Sequence, residues 1–482
     1  GSEPFSLSKQ SYERLLPYQR EGVAWLWELH QRGAGGILGD EMGLGKTCQT
    51  ITFLGGCFEG QQVSHVLIVC PVSVLSVWEG EFRKFCKDVS PLLFHGANTR
   101  ERDDNLKSVY KRGGVLLTSY GLASSQAEKL ARVNWDYVVC DEGHKLKNPS
   151  IQTSKKLRTI PADHRLLLTG TPVQNNLDEL WALLDFAVPG LLPPQQEFKA
   201  HYSRPIADGH DKSAAASEKQ LGERRARELR DIFMPYQLAR TKADVFNKDK
   251  KVGGEEERPE EQGGARIQVG LEVSKKEWIV WLEPTSFQKH VYRQFLDSDV
   301  VHAALSSSRS PLAALTVLKK ICDHPYLLQK ATEVSSLEAL READEEQEAE
   351  TLEEDTFSEL IGAAVASSKM LFVLHLLQEL ERGGHKTLVF SQSSRMLRLL
   401  RSCTDTLKIS SLFLDGQVNK LADRERIVKK FNSKESVKVL FLTTGVGGVG
   451  LTLTGADRVI IYDPSWNPAT DAQAVDRAYR VG

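Results

Sequence analysis

The chain has 482 residues, 41% of them apolar, and a formal net charge of −2. That length exceeds one ordinary domain, and the apolar share is enough for more than one core. The most apolar stretch, 65–78, is broken by Pro71, Ser73 and Ser76, which excludes a membrane span; seven scattered cysteines without C-x-x-C spacing exclude a disulfide scaffold and a zinc site and fit a reducing intracellular compartment.

In chain order, the first informative stretch is G-I-L-G-D-E-M-G-L-G-K-T at 36–47. Its end is that of a phosphate loop, G-x-x-x-x-G-K-[ST], but the first glycine of the pattern is Asp40, with Gly39 one residue outside. Gly43 and Gly45 allow the positive φ that turns backbone N–H groups inward. Lys46 and Thr47 supply the amine and hydroxyl for terminal phosphates and Mg²⁺. Ile37-Leu38 before the loop predicts a strand end, and Ile51, Leu54 and Phe58 after it recur at helical spacing.

Strands are predicted at Val66–Cys70, Val115–Thr118, Tyr137–Cys140 and Arg165–Thr169, alternating with helical patterns. Such alternation predicts an α/β fold with a parallel sheet and helices on both faces. The third of these runs into D-E-G-H at 141–144. Ligands bind beyond the carboxyl ends of strands in open α/β sheets, so Asp141 is expected to share a crevice with the phosphate loop and to hold Mg²⁺, with Glu142 as the base that activates water. The fourth runs into L-T-G-T-P at 168–172.

From 189 to 240 the pattern turns helical and polar, with a basic stretch at 223–230; residues 246–265 read as a flexible loop. Between Glu333 and Glu359 stand 12 acidic residues and one basic, and without them the balance is 61 basic to 52 acidic. The acidic run reads as a solvated, mobile spacer. The α/β pattern returns with strands at 387–390, 412–414, 439–442 and 458–462, and a helix with Ile427, Val428 and Phe431 on one face. T-T-G-V-G-G-V-G-L follows at 443–451, and the chain ends with Gln473, Arg477 and Arg480 in Q-x-x-x-R-x-x-R. Arg477 and Arg480 share a helical face and could stabilise transition-state charge on a γ-phosphate.

Taken together, these motifs resemble the superfamily-two helicase-like ATPases. D-E-M-G-L-G-K-T with aspartate at 40, L-P-Y-Q-R-E-G at 16–22, L-T-G-T-P-V-Q-N-N-L-D-E-L-W at 168–181, K-K-I-C-D-H-P at 319–325 and D-P-S-W-N-P-A at 463–469 resemble the Swi/Snf-type branch. The departures are Ala239 where arginine is usual, Gly445 where lysine is common and Thr452 where asparagine is common.

The resemblance implies two RecA-like lobes: lobe 1 at 1–240 with a helical protrusion near 189–240, a linker at 241–282, a helical insertion of lobe 2 at 283–362 containing the acidic segment 333–359, and the lobe 2 core at 363–482. It implies an ATP site of Gln19 (adenine), Asp40, Met42, Gly43, Leu44, Gly45, Lys46 and Thr47, with Mg²⁺ on Thr47 and Asp141. Catalysis would fall to Lys46, Glu142, Arg477 and Arg480 as the lobes close, with coupling through His144, Thr169, Gly170, Thr171 and Gln473. Duplex DNA would be held by its backbone at Pro71, Val72, Ser73, Thr118, Ser119, Tyr120, Ser391, Gln392, Thr443 and Thr444. The implied activity is ATP-driven movement along double-stranded DNA without strand separation; the alternative is a chromatin-remodelling or repair-coupled ATPase of the same branch, and an unwinding helicase and a non-catalytic scaffold are further rivals. Segments 278–288 and 309–320 further resemble a subgroup acting on mitotic DNA, which implies the nucleus or chromosomes, with chromatin proteins or mitotic kinases as partners and no membrane.

Overall fold

The computed structural model describes residues 5–170, 177–211, 214–246, 276–298, 301–302, 311–328, 365–418, 421–433, 436–447, 453 and 455–476. The chain divides between Val273 and Ser274 into two compact units.

The first unit is built on seven strands: β1 (Gly36–Leu38), β2 (His65–Cys70), β3 (Leu92–Phe94), β4 (Gly114–Ser119), β5 (Trp135–Asp141), β6 (Ala162–Leu168) and β7 (Gln237–Leu238). They form one sheet in the order β3-β4-β2-β5-β6-β1-β7, and every pairing is parallel. Period-2 alternation sends Leu67, Val69, Val138 and Cys140 into one apolar layer and Val66, Ile68, Cys70 and Val139 into the other. With both faces covered by helices, such strands read as continuous apolar runs. The four strands expected at 66–70, 115–118, 137–140 and 165–169 are all present and start earlier than expected, but the last ends at Leu168, leaving Thr169 outside it.

β3 and β7 were not expected. β3 has three residues and β7 two, and β7 closes the sheet by pairing Ile37 with Gln237 and Leu38 with Leu238. The polar stretch after 189 folds as short helices and one long one, Ala216–Phe233, which buries Leu229 and Gly222 and leaves most of its charged residues outside.

The second unit carries β8 (Thr387–Ser391), β9 (Ser411–Leu414), β10 (Val439–Thr443) and β11 (Arg458–Ile461), in the order β11-β8-β10-β9, again all parallel. Its apolar layers divide Val389, Val439 and Phe441 from Leu388, Phe390, Leu440 and Leu442. The helix Leu421–Ser433 buries Phe431 as its pattern requires. Among the described residues no helix is long and apolar enough to cross a membrane. The acidic run 333–359 and nearly all of the loop at 246–265 lie outside the described residues.

Candidate functional site

The phosphate loop joins β1 to the helix Lys46–Glu59. Gly43 has φ 90° and Gly45, the residue before the helix, φ 79°. The positive φ calls for glycine at 45, and a Cβ there would also have to displace the side-chain ends Gln19 Nε2 and Cys48 Sγ, at 2.5 and 2.9 Å. The helix that follows presents its first amides to the loop, which suits an anion. Lys46 Nζ rests on the carbonyl of Asp40 at 2.6 Å. Gln19, expected to read adenine, braces the loop: its amide donates to Leu44 O at 3.3 Å and its oxygen accepts from Leu16 N.

Asp40, the residue in place of the pattern's first glycine, is fully buried. Its carboxylate takes a bidentate grip from Arg240, Nε to Oδ1 at 3.0 Å and Nη2 to Oδ2 at 2.6 Å, and accepts from Gln49 Nε2 at 3.2 Å. Paired N–H donors of this kind fit a carboxylate better than any other side chain. The loop also runs as a ladder beside the chain after β7: Gly39 N donates to Leu238 O, Glu41 N to Arg240 O, and Lys242 N to Glu41 Oε2. Asp40 therefore anchors the loop to the far end of the unit. The sequence held no spacing signal for this pair, because 200 residues separate its members.

The register Leu38↔Leu168 and Asp141↔Leu168 brings the ends of β1, β6 and β5 side by side. Thr169, fully buried, donates its N–H to Leu38 O at 3.1 Å, and a Cβ on Gly170 would meet Met42 Cγ at 2.6 Å. The L-T-G turn thus packs on the phosphate loop; Thr171 lies outside the described residues.

At the end of β5, Asp141 Oδ1 accepts from Glu142 N at 2.9 Å and Oδ2 from Trp78 Nε1 at 2.9 Å. Burial and then the neighbouring Glu142 charge raise the Asp141 carboxyl above its ordinary range, against the Trp78 hydrogen bond and the Lys46 amine, which lower it. Glu142 has φ 56° and ψ 50°, a left-handed backbone uncommon for a side chain of its size. Strain of this kind gathers at functional positions. Its Oε2 lies 3.4 Å from His144 Nδ1. Among the described residues no group of three or more His, Cys, Asp or Glu side chains forms a metal cage. One carboxylate, a threonine hydroxyl and an arriving triphosphate are the donor set that Mg²⁺ takes, so the residues present fit ATP and Mg²⁺.

The expected DNA residues fall at strand ends. In the first unit Pro71, Val72 and Ser73 follow β2, and Thr118, Ser119 and Tyr120 follow or end the adjacent β4. Val72 is exposed, but the Thr118 hydroxyl points inward to Phe94 O at 2.9 Å. In the second unit Ser391 and Thr443 are register partners at the ends of β8 and β10, with Gln392 and Thr444 next to them. The Gln392 backbone N–H and side-chain amide are taken by Asp463 and Pro464 of the D-P-S-W-N-P turn. Gln473 lies on the helix Pro468–Val475, while Arg477 and Arg480 lie outside the described residues.

Two family patterns match the chain: a SNF2-related domain at residues 18–257 and a helicase conserved C-terminal domain at 368–482. The chain belongs to the SNF2-related ATPases. It is 44% identical over 496 residues to "DNA excision repair protein ERCC-6-like" of Danio rerio, covering 99% of this chain and 34% of that protein. It is 40% identical to "SNF2 domain-containing protein ENL1" of Oryza sativa, over 100% of this chain and 49% of that protein. It is 40% identical to "Protein CHROMATIN REMODELING 24" of Arabidopsis thaliana, over 97% and 43%. This SNF2-related chain therefore spans between about a third and a half of the length of those relatives. Among solved structures it is similar to the Sulfolobus solfataricus SWI2/SNF2 ATPase core in complex with dsDNA, at 28% identity and a TM-score of 0.45, covering 99% of this chain and 86% of that one.

Proposed function

We propose that this chain hydrolyses ATP to move along double-stranded DNA without separating its strands, using two RecA-like lobes. The observation that carries the reading is Lys46 at the head of the helix after β1, in one sheet with Asp141 and Glu142 at the end of β5. A glycine-shaped anion cradle and paired carboxylates at one sheet edge are what phosphoryl transfer to water needs.

Bound ATP and Mg²⁺ supply the phosphoanhydride to be cleaved and the cation that neutralises its charge. Lys46 leaves the Asp40 carbonyl for the terminal phosphates, and the backbone from Met42 through Gly43, Leu44 and Gly45 to Thr47 cradles them. Thr47 and Asp141 hold the cation. Glu142 orients and deprotonates the attacking water, with His144 beside it. Gln19 holds the adenine side of the loop. Thr169, Gly170, Thr171 and Gln473 relay the state of the site, and Arg477 and Arg480 meet the charge on the γ-phosphate. DNA is gripped through its phosphates by the loops at 71–73 and 118–120 and by the strand ends at 391–392 and 443–444, which gives hold without sequence preference. Thr118 and Gln392, whose donors are already engaged, and Ser119 and Thr444, which are buried, shape these loops while main-chain N–H groups meet the phosphates.

At finer grain, W-I-V-W-L-E-P-T-S-F-Q at 278–288 and R-S-P-L-A-A-L-T-V-L-K-K at 309–320 resemble the Plk-interacting checkpoint helicase. That supports work on mitotic chromosomes, at centromeres or kinetochores, with mitotic kinases or chromatin proteins as partners. The relatives' names, which speak of excision repair and chromatin remodelling, favour those roles as the neighbouring reading. The deciding assay measures ATP turnover with duplex DNA, single strands and RNA. Strongest stimulation by duplex is expected; strongest stimulation by RNA or by single strands would assign the chain to unwinding instead, and equal turnover with all three would remove the DNA reading.

A further inference from the structure

Two side chains converge on Asp141: Trp78, outside the expected machinery, and Tyr120, expected among the DNA residues but turned inward. Trp78 is fully buried on the helix Leu75–Phe85, which begins directly after the Pro71–Val74 loop. Its indole N–H donates to Asp141 Oδ2 at 2.9 Å. Tyr120 opens the helix Tyr120–Ser125, which begins directly after β4. Its hydroxyl donates to the main-chain oxygen of Asp141 at 2.7 Å. The sheet order β4-β2-β5 makes this convergence possible, since the chain segments leaving β4 and β2 lie next to the end of β5.

The peptide between Asp141 and Glu142 is consequently held at both polar groups. Its carbonyl is bound by Tyr120, and its N–H by Asp141 Oδ1 at 2.9 Å. The peptide that leads into Glu142, whose φ is 56°, is thereby fixed in orientation. A buried carbonyl released from such a bond seeks a new partner, and rotation of its peptide is the simplest way to find one. The same rotation would swing the Glu142 carboxylate away from the position its proposed role as base requires.

We propose that Trp78 and Tyr120 are positioning residues through which the loops after β2 and β4 set the orientation of Asp141 and Glu142. Duplex DNA gripped at those loops seats the two helices that carry Trp78 and Tyr120, and so aligns the carboxylates for hydrolysis. This rests on the DNA-stimulated ATPase proposed above.

The test uses Tyr120→Phe, which removes one oxygen, and Trp78→Phe, which removes the indole N–H. A third variant, Phe82→Leu, loosens the same helix one turn beyond Trp78 without touching Asp141. Turnover is measured with and without saturating duplex DNA, together with KM for ATP and binding of a fluorescently labelled duplex. Misalignment of reacting groups by about an ångström costs on the order of 100-fold in rate. A loss of 10- to 100-fold is therefore expected in DNA-stimulated kcat for Tyr120→Phe and Trp78→Phe, with KM for ATP within about twofold of wild type in both and duplex affinity within about twofold in Trp78→Phe. Phe82→Leu should lower the melting temperature and keep the wild-type stimulation ratio. A wild-type ratio in both hydrogen-bond variants overturns the positioning role, as does a loss in Phe82→Leu equal to theirs. A wild-type protein that duplex DNA does not stimulate overturns the functional reading and this inference together.

Discussion

Replacing Asp40 with glycine would restore the strict phosphate-loop pattern, yet the structure predicts that it damages the protein. Asp40 is fully buried, and Arg240, its partner, is 12% exposed. Removing the carboxylate leaves a guanidinium with the Tyr18 carbonyl at 2.5 Å, the Gln49 oxygen at 3.0 Å and Glu21 at 3.6 Å. Breaking a buried ion pair from one side costs about 3–5 kcal/mol. The neighbouring Glu21, itself well exposed, offers partial compensation, so the lower end of that range, about 3 kcal/mol, is expected. For a unit of this size each kcal/mol is worth roughly 2–4 °C, which gives a fall of roughly 6–12 °C in the melting of the first unit. Scanning calorimetry without nucleotide measures it. Asp40→Gly combined with Arg240→Met should lose much less than the sum of the two single changes, because the double variant buries no orphan charge. A single variant within about 1 kcal/mol of wild type, or strictly additive losses, would refute the anchoring argument.

Lys46→Ala should abolish hydrolysis, and Glu142→Gln should slow it while ATP still binds; turnover assays with a nucleotide-binding measurement check both, and unchanged turnover in either moves the site elsewhere. Affinity for duplex DNA should fall steeply between low and physiological salt because phosphate contacts release counterions, so a flat titration would argue against backbone grip. In the second unit burial pushes the Asp463 carboxyl up to about 6 from 3.8. A carboxyl raised on folding favours the folded state below the unfolded value and loses that contribution as pH rises through the folded one. Between pH 4 and 6, Asp463→Asn, which keeps an acceptor for the Gln392 N–H, should flatten the pH dependence of melting; an unchanged slope would mean the carboxyl titrates normally.

The long strands and the phosphate loop were legible because they obey local rules. His65–Cys70 and Trp135–Asp141 are buried on both faces and so read as apolar runs, and Gly43 and Gly45 announce a turn that only positive φ can make. β7 was not legible, since two residues, one of them glutamine, carry no periodicity. Arg240 was illegible as an anchor for the same reason that Trp78 and Tyr120 were: each looks ordinary in its own segment and acquires a role only from a partner far along the chain. The departure at Ala239 left the anchoring arginine, Arg240, in place.

The position of β1 has a consequence for how the chain is made. Gly36–Leu38 is synthesised well before its partners, Leu166–Leu168 and Gln237–Leu238. At roughly 5–20 residues per second, the strand waits on the order of ten seconds for its first neighbour and longer for its second. Throughout that interval Ile37 and Leu38, which end with no solvent exposure, sit on an unpaired backbone at the ribosome. The sheet therefore cannot close over Ile37 and Leu38 until residue 168 has been made, so this strand's burial is limited by elongation and not by its own propensity to fold.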